Sequence, residues 1–297
     1  MTFDLQHYLG ARRELVDEAL ERFLPPDDAP PPAVHRAMRY SVMAGGKRLR
    51  PILVIAGAEA VGGGSDTVLP TACALELIHT YSLIHDDLPA MDDDDYRRGR
   101  PTSHKVFGEA MAILAGDALL TLAFRLVADN ATLVRDPGTI CAVVAEIATA
   151  AGTGGMVGGQ VVDIESEGKT VTAETLDYIH THKTAALIRV ALRSGALLAG
   201  APPAELQAIT TTGERLGLAF QIVDDILDVE GSLEELGKTS GSDERKQKAT
   251  YPALHGLDAS RRRARTLIQD AKDALTPLGR AAAPIEALAD FIFERRS

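Results

Sequence analysis

Two acid-rich segments carry the strongest chemical signal in this chain: Asp86-Asp87-Leu88-Pro89-Ala90-Met91-Asp92, followed at once by Arg97-Arg98-Gly99, and Asp224-Asp225-Ile226-Leu227-Asp228. Carboxylate oxygens suit hard divalent cations such as Mg²⁺, which are typically shared between one or two carboxylates and the phosphates of a substrate. Arginines beside such acids would grip the phosphate oxygens that the metal leaves free. In the second segment the spacings 224/228 and 225/228 put all three acids on one side of a helix. Helical acids commonly form a solvated stripe. Here Phe220, Ile222, Val223, Ile226, Leu227 and Val229 crowd them into an apolar helix, where an unpaired charge is costly.

In the first segment Asp86 and Asp92 are six residues apart, which at ~100° per residue leaves them on different faces of a straight helix. Pro89 removes a backbone donor and disfavours helical geometry at Leu88, so the helix should kink or end and let Asp92 swing back towards Asp86. Asp87 is expected to support its neighbours as an acceptor, and Asp93, Asp94 and Asp95 to be solvated loop residues. A third cluster, Gly45-Gly46-Lys47-Arg48-Leu49-Arg50-Pro51, joins a mobile point charge to planar guanidinium forks, a combination suited to a diphosphate. A basic turn alone carries no specificity; beside the acids it gains weight. His79 lies about two turns before Asp86 on roughly the same helix face. Lys183, before Thr184, is a candidate phosphate contact; zinc at His180 and His182 would need a fuller ligand set.

These groups must be held by helices. Apolar residues recur at three- and four-residue spacing nearly throughout, alternating β-branched runs are missing, and the reading is all-α. Loop signals lie at Pro25–Pro32, Gly62–Ser65, Asp136–Gly138, Gly200–Pro203 and Gly231–Thr250. The stretches Pro70–Leu88 and Glu214–Val229 are apolar around most of their circumference and should be central. The glycines of Gly152–Gly159 match neither a dinucleotide fingerprint nor a P-loop, and close helix packing explains them better. No composition shift divides residues 1–297, which read as one domain. A net charge of −11 argues against nucleic acid and anionic membranes, no apolar run approaching a membrane span is expected, and Cys73 and Cys141 read as unpaired, buried hydrophobes of a reducing, cytosolic setting.

Taken in order, these segments resemble the trans-isoprenyl diphosphate synthases, most of all the bacterial farnesyl diphosphate synthases. The matching elements are GGKRLRP at Gly45–Pro51, ELIHTYSLIHDDLPAMDDDDYRRG at Glu76–Gly99, HKTAALI at His182–Ile188, GLAFQIVDDILD at Gly217–Asp228, and LGKTSGSD with KATYP within Leu236–Pro252. The resemblance implies a single large helical bundle with a central cavity, Mg²⁺ (three ions per site with substrate bound) and a homodimer. It implies that Asp86, Asp92 and Asp224 bind metal, with Asp225 and Asp228 in support and Asp243 nearby. Arg97, Lys183, Thr184, Gln221, Lys238 and Lys248 would hold an allylic diphosphate; Lys47, Arg50, His79 and Arg98 would hold isopentenyl diphosphate. Asp86, Asp92, Asp224, Lys183 and Arg97 would be the catalytic set. In such enzymes bulk five residues before the first acid, here Tyr81, acts as the floor that limits product length, and two extra residues between Asp87 and Asp92 accompany short products. Both favour the C15 product farnesyl diphosphate. The rivals are a geranyl or geranylgeranyl diphosphate synthase, a non-catalytic partner subunit, or a terpene cyclase that would leave the second basic set without a ligand. Arg295 and Arg296 fold over the phosphates or end in solvent.

Overall fold

Helical periodicity becomes helix almost everywhere in the computed structural model, which describes residues 3–134, 136–230 and 250–294. In chain order the helices are α1 (Leu5–Phe23), α2 (Pro32–Val42), α3 (Leu49–Ala60), α4 (Ser65–Asp86), α5 (Ser103–Phe107), α6 (Glu109–Asp129), α7 (Pro137–Ala151), α8 (Met156–Ser166) and α9 (Ala173–Ile179). A π-helical turn, His180–Ala185, leads into α10 (Ala186–Leu198), followed by α11 (Pro203–Glu230), α12 (Tyr251–His255), α13 (Leu257–Ala274) and α14 (Ala283–Glu294). The expected breakers act locally. Asp136 caps α7 by accepting from the Gly138 and Thr139 amides, with Pro137 in the first turn, and Thr250 caps α12 through the Ala253 amide.

α4 and α11 are the central scaffold. α4 packs between α3 and α6, α3 continues onto α10, and α10 and α13 flank α11. Leu75, Leu77 and Ile78 of α4 are fully buried, as are Leu216, Ala219 and Ile222 of α11. The α3–α10 crossing depends on absent side chains: a Cβ at Gly195 would sit 1.9 Å from the Val54 carbonyl oxygen, and one at Gly57 2.2 Å from that of Leu192.

The all-α reading holds: the strand among the described residues is one short hairpin, Tyr96–Arg97 (β1) with Arg100–Pro101 (β2). Two expectations need correction. Cys141 is exposed, although Cys73 is buried and both are free. Ser65–Asp86, Glu109–Thr132 and Pro137–Ser166 are each long and apolar enough to cross a membrane by length and composition, because one or two scattered charges scarcely lower their mean hydropathy. The first is 78% buried inside the fold and the other two 39%, so apolar side chains such as Ile113, Leu114, Val157, Val161 and Ile164 lie exposed on α6 and α8.

Candidate active site

α4 stops at Asp86, and the chain turns back through Pro89 so that the Asp92 amide donates to the Asp86 carbonyl at 2.8 Å. The Met91 and Asp93 amides close the same turn on Leu88, at 2.9 and 3.1 Å. Asp92 therefore returns to Asp86 through a backbone bond, and both side chains are half-buried.

Asp87 is buried and holds Arg97. The Arg97 Nε donates to its Oδ1 at 2.7 Å and a terminal nitrogen reaches the same oxygen at 2.5 Å, while Asp94 stands 3.4 Å away. Burial pushes the Asp87 carboxyl up from its usual range, against the pull of Arg97. Burial opposes the Arg97 charge, but Asp87, Asp94 and Asp86 together raise its pKa. Asp94 pairs with Arg97 while its side chain stays 43% exposed, and Asp93 and Asp95 are exposed, as expected of solvated loop acids. Among the described residues Asp93, Asp95 and buried His104 each bring a potential ligand atom within 4.8 Å of the others, and Asp95 also pairs with Lys105 at 2.6 Å.

The β1–β2 hairpin separates the two arginines. Its two-residue tip, Arg98-Gly99, has φ of 53° and 73°, the left-handed pair that suits the twist of a tight hairpin. Arg97 is thereby directed at the acidic turn, and Arg98 donates to the Gly45 carbonyl in the basic turn.

That basic turn is itself divided. Arg48, also left-handed at φ 51°, points inward: it is 2% exposed, with Nε 2.7 Å from Asp17, one terminal nitrogen 2.7 Å from Glu76 and the other donating to the Val42 carbonyl at 2.8 Å. Lys47, Arg50, His79 and Arg98, with the Arg48–Glu76 pair in its wall, line a cleft of about 500 Å³ that Phe220 of α11 and Phe291 of α14 also reach. Burial holds the His79 imidazole well below its usual range, and Arg50, Arg98, Arg97 and Arg48 reinforce the shift, so His79 is neutral at pH 7. Burial likewise lowers the Arg50 pKa, with Glu76 and then Asp224 opposing it.

Asp86 acts on Arg97 and on Tyr81; Asp224 acts on Arg50; Arg50, Arg97 and Arg98 all act on His79. His79 thus feels both Arg97, on which Asp86 acts, and Arg50, on which Asp224 acts. Asp228, one turn beyond Asp224, has a buried Oδ1 without a partner. An orphaned carboxylate oxygen next to half-buried acids fits the all-oxygen coordination that Mg²⁺ prefers.

On the far side, the π turn presents Lys183 and Thr184. π-Helical turns recur at functional sites, and this one is seated on α8, where a Cβ at Gly159 would fall 2.3 Å from the Lys183 amide nitrogen. That bears out helix packing as the reason for a glycine here. Lys183 Nζ donates to Asp163 at 2.6 Å, and the Thr184 hydroxyl donates to Gln221 at 2.7 Å. Tyr81 is 7% exposed, with its ring edge-on to His85 at 5.7 Å. Lys238, Asp243, Lys248, Arg295 and Arg296 lie outside the described residues.

Sequence reasoning missed Asp163, whose only local signal is its place one turn after Gln160 in α8, and Gln6 and Arg13 of α1, which line the cleft from a helix whose pattern is ordinary.

The polyprenyl synthetase family model matches residues 31–278. The chain belongs to this family. It is 48% identical over 296 residues to a geranylgeranyl diphosphate synthase of Cyanophora paradoxa, covering 99% of this chain and 98% of that protein. It is 49% identical over 253 residues to a farnesyl diphosphate synthase of Geobacillus stearothermophilus, covering 85% of each. The solved structure of a geranylgeranyl pyrophosphate synthetase from Pyrococcus horikoshii superposes with a TM-score of 0.88 at 33% identity, covering 98% of this chain and 99% of that one. The isoprenyl synthase fold and short-chain prenyltransferase activity in isoprenoid biosynthesis follow from this membership. The relatives carry different product names at nearly equal identity.

Proposed function

We propose that the chain condenses isopentenyl diphosphate with dimethylallyl or geranyl diphosphate and releases farnesyl diphosphate and diphosphate. One observation supports the reading: Lys47, Arg50 and Arg98 converge on one cleft, apart from Arg97 at Asp87 and Lys183 at Asp163, and two separate sets of cations would provide for two diphosphates. Lys47, Arg50, Arg98 and neutral His79 would hold isopentenyl diphosphate. Arg97, Lys183, Thr184 and Gln221 would hold the allylic diphosphate, with Lys238 and Lys248 assigned to the same side by resemblance. Asp86, Asp92 and Asp224, supported by Asp228, would hold Mg²⁺, with three ions as the proposed complement, and bound Mg²⁺ would neutralise charge on the departing diphosphate.

The chain's own part is to bind, orient and exclude water. The cationic side chains stabilise charge as the allylic carbon–oxygen bond breaks and its electron pair leaves with diphosphate. The isopentenyl double bond then attacks the allylic carbon, a carbon–carbon bond forms, and the proton lost from the product passes to released diphosphate. Phe220, Phe291 and the apolar faces of α4 and α11 keep competing water away.

Tyr81 favours C15, since it narrows the path one and a half turns below Asp86. A C20 product is the second reading, favoured by the near-equal identity to a geranylgeranyl synthase. We place the chain in the cytosol, as a single domain that pairs with a second copy through the exposed apolar faces of α6 and α8. Free thiols at Cys73 and Cys141 accord with that compartment. Labelled isopentenyl diphosphate with dimethylallyl, geranyl or farnesyl diphosphate, with and without EDTA, tests the reading. Farnesyl diphosphate from the first two, abolished by EDTA, is the expected result; no condensation with any partner refutes it, and efficient extension of farnesyl diphosphate establishes the C20 alternative.

A further inference from the structure

The carboxylate of Asp225 adjoins Asp224 in sequence but is engaged differently. It is 3% exposed; Oδ1 accepts from Gln221 Nε2 at 3.0 Å, and Oδ2 accepts from the Tyr251 backbone amide at 2.8 Å and faces His180 Nε2 at 3.3 Å. Both oxygens are thus engaged by protein groups. Gln221 relays the connection, since its Oε1 accepts from the Thr184 hydroxyl at 2.7 Å. The Tyr251 ring stacks on His180 with centroids 5.7 Å apart and planes 21° from parallel, and its hydroxyl donates to Asp177 of α9 at 3.1 Å.

His180 is therefore a second point, beside Thr184, where the π turn touches the network that orders Gln221. A carboxylate beside a ring nitrogen is stabilised when that nitrogen carries the proton. The arrangement that fits has Nε2–H facing Asp225. Nδ1, buried and without a partner, exerts no competing pull, so Asp225 and the Tyr251 ring set the orientation of the imidazole.

Resting on the prenyltransferase reading, we infer that His180 is a positioning residue for the allylic diphosphate: through Asp225 it fixes Gln221 and Thr184 without touching substrate. Asp225 is correspondingly the anchor of that relay and not a metal ligand.

The test uses the full chain. His180→Phe keeps an aromatic ring against Tyr251 and removes the donor, and His180→Gln returns an N–H near the Nε2 position. Withdrawing a hydrogen bond from a buried charge corresponds to about tenfold or more in affinity. His180→Phe should raise the KM for geranyl diphosphate and weaken calorimetric binding of inorganic pyrophosphate with Mg²⁺ by about that factor. The KM for isopentenyl diphosphate and the Mg²⁺ concentration for half-maximal activity should stay within about twofold, and His180→Gln should recover most of the loss. If His180→Phe does not fold, His180→Asn, which draws the nitrogen back from Asp225, takes its place. An equal rise in both KM values, no rise at all, no recovery in His180→Gln, or a raised Mg²⁺ requirement overturns the inference. Failure of the unaltered chain to condense any allylic diphosphate refutes the functional reading alone, because the pyrophosphate isotherms still decide the role of His180. A chain that binds no pyrophosphate refutes both.

Discussion

Replacing Tyr81 with alanine should lengthen the product, and the fold indicates by how much. Tyr81 lies five residues before Asp86, which places its Cα about 7.5 Å deeper along α4. Its phenol is close enough to the acidic turn that burial and then the charge of Asp86 raise its pKa. One turn further down stands Leu77, fully buried in the core. Truncation therefore lowers the floor by one helical turn, about 5.4 Å, the scale of one five-carbon unit. The expected outcome is a shift from C15 to C20. Loss of a buried aromatic side chain typically costs about 3–5 kcal/mol, so the melting temperature should fall by roughly 6–20 °C. The assay is chromatography of dephosphorylated products from labelled isopentenyl diphosphate and geranyl diphosphate, with Tyr81→Phe as the control that keeps the floor and the C15 product. A folded, active Tyr81→Ala variant that still stops at C15 refutes the floor assignment. An unaltered chain that already makes C20 refutes it as well.

Asp86→Ala and Asp224→Ala should each lower kcat by about 10²-fold or more, as expected when a preorganised charge at the leaving group is lost, with far-UV circular dichroism unchanged because both side chains are only half-buried. Arg48→Ala should destabilise the fold by about 3–5 kcal/mol, because it leaves Glu76, 2% exposed, as an unpaired buried charge; urea unfolding measures it. His79 adds a pH dependence. Its folded-state pKa is depressed well below 6.5, so on acidification the unfolded chain takes up a proton that the folded chain refuses; its contribution is full above about pH 6.5 and is lost as the pH falls below it. Urea midpoints at about pH 7.5 and 5.5 should show that loss, and His79→Asn should reduce the difference.

What was legible in the sequence is what local rules control. Pro89 dictates the end of α4 and the return of Asp92, because the imide ring acts on its own neighbours, and the 224/228 spacing needs only a helix to align its acids. Long-range charge pairing leaves no such mark. Nothing in GGKRLRP says that the Arg48 guanidinium is taken up by protein carboxylates; Asp17 and Glu76, which hold it, are 31 and 28 residues away. Asp163 meets Lys183 across 20 residues, and Tyr251 meets Asp225 across 26. Local rules thus place the carboxylates, and the tertiary fold decides which of them are neutralised by protein and which remain for a ligand. Asp87 and Asp225 are occupied by Arg97, Gln221 and the Tyr251 amide, whereas Asp228 keeps an unpartnered oxygen. In each acidic segment the second aspartate is spent on holding the surrounding structure together.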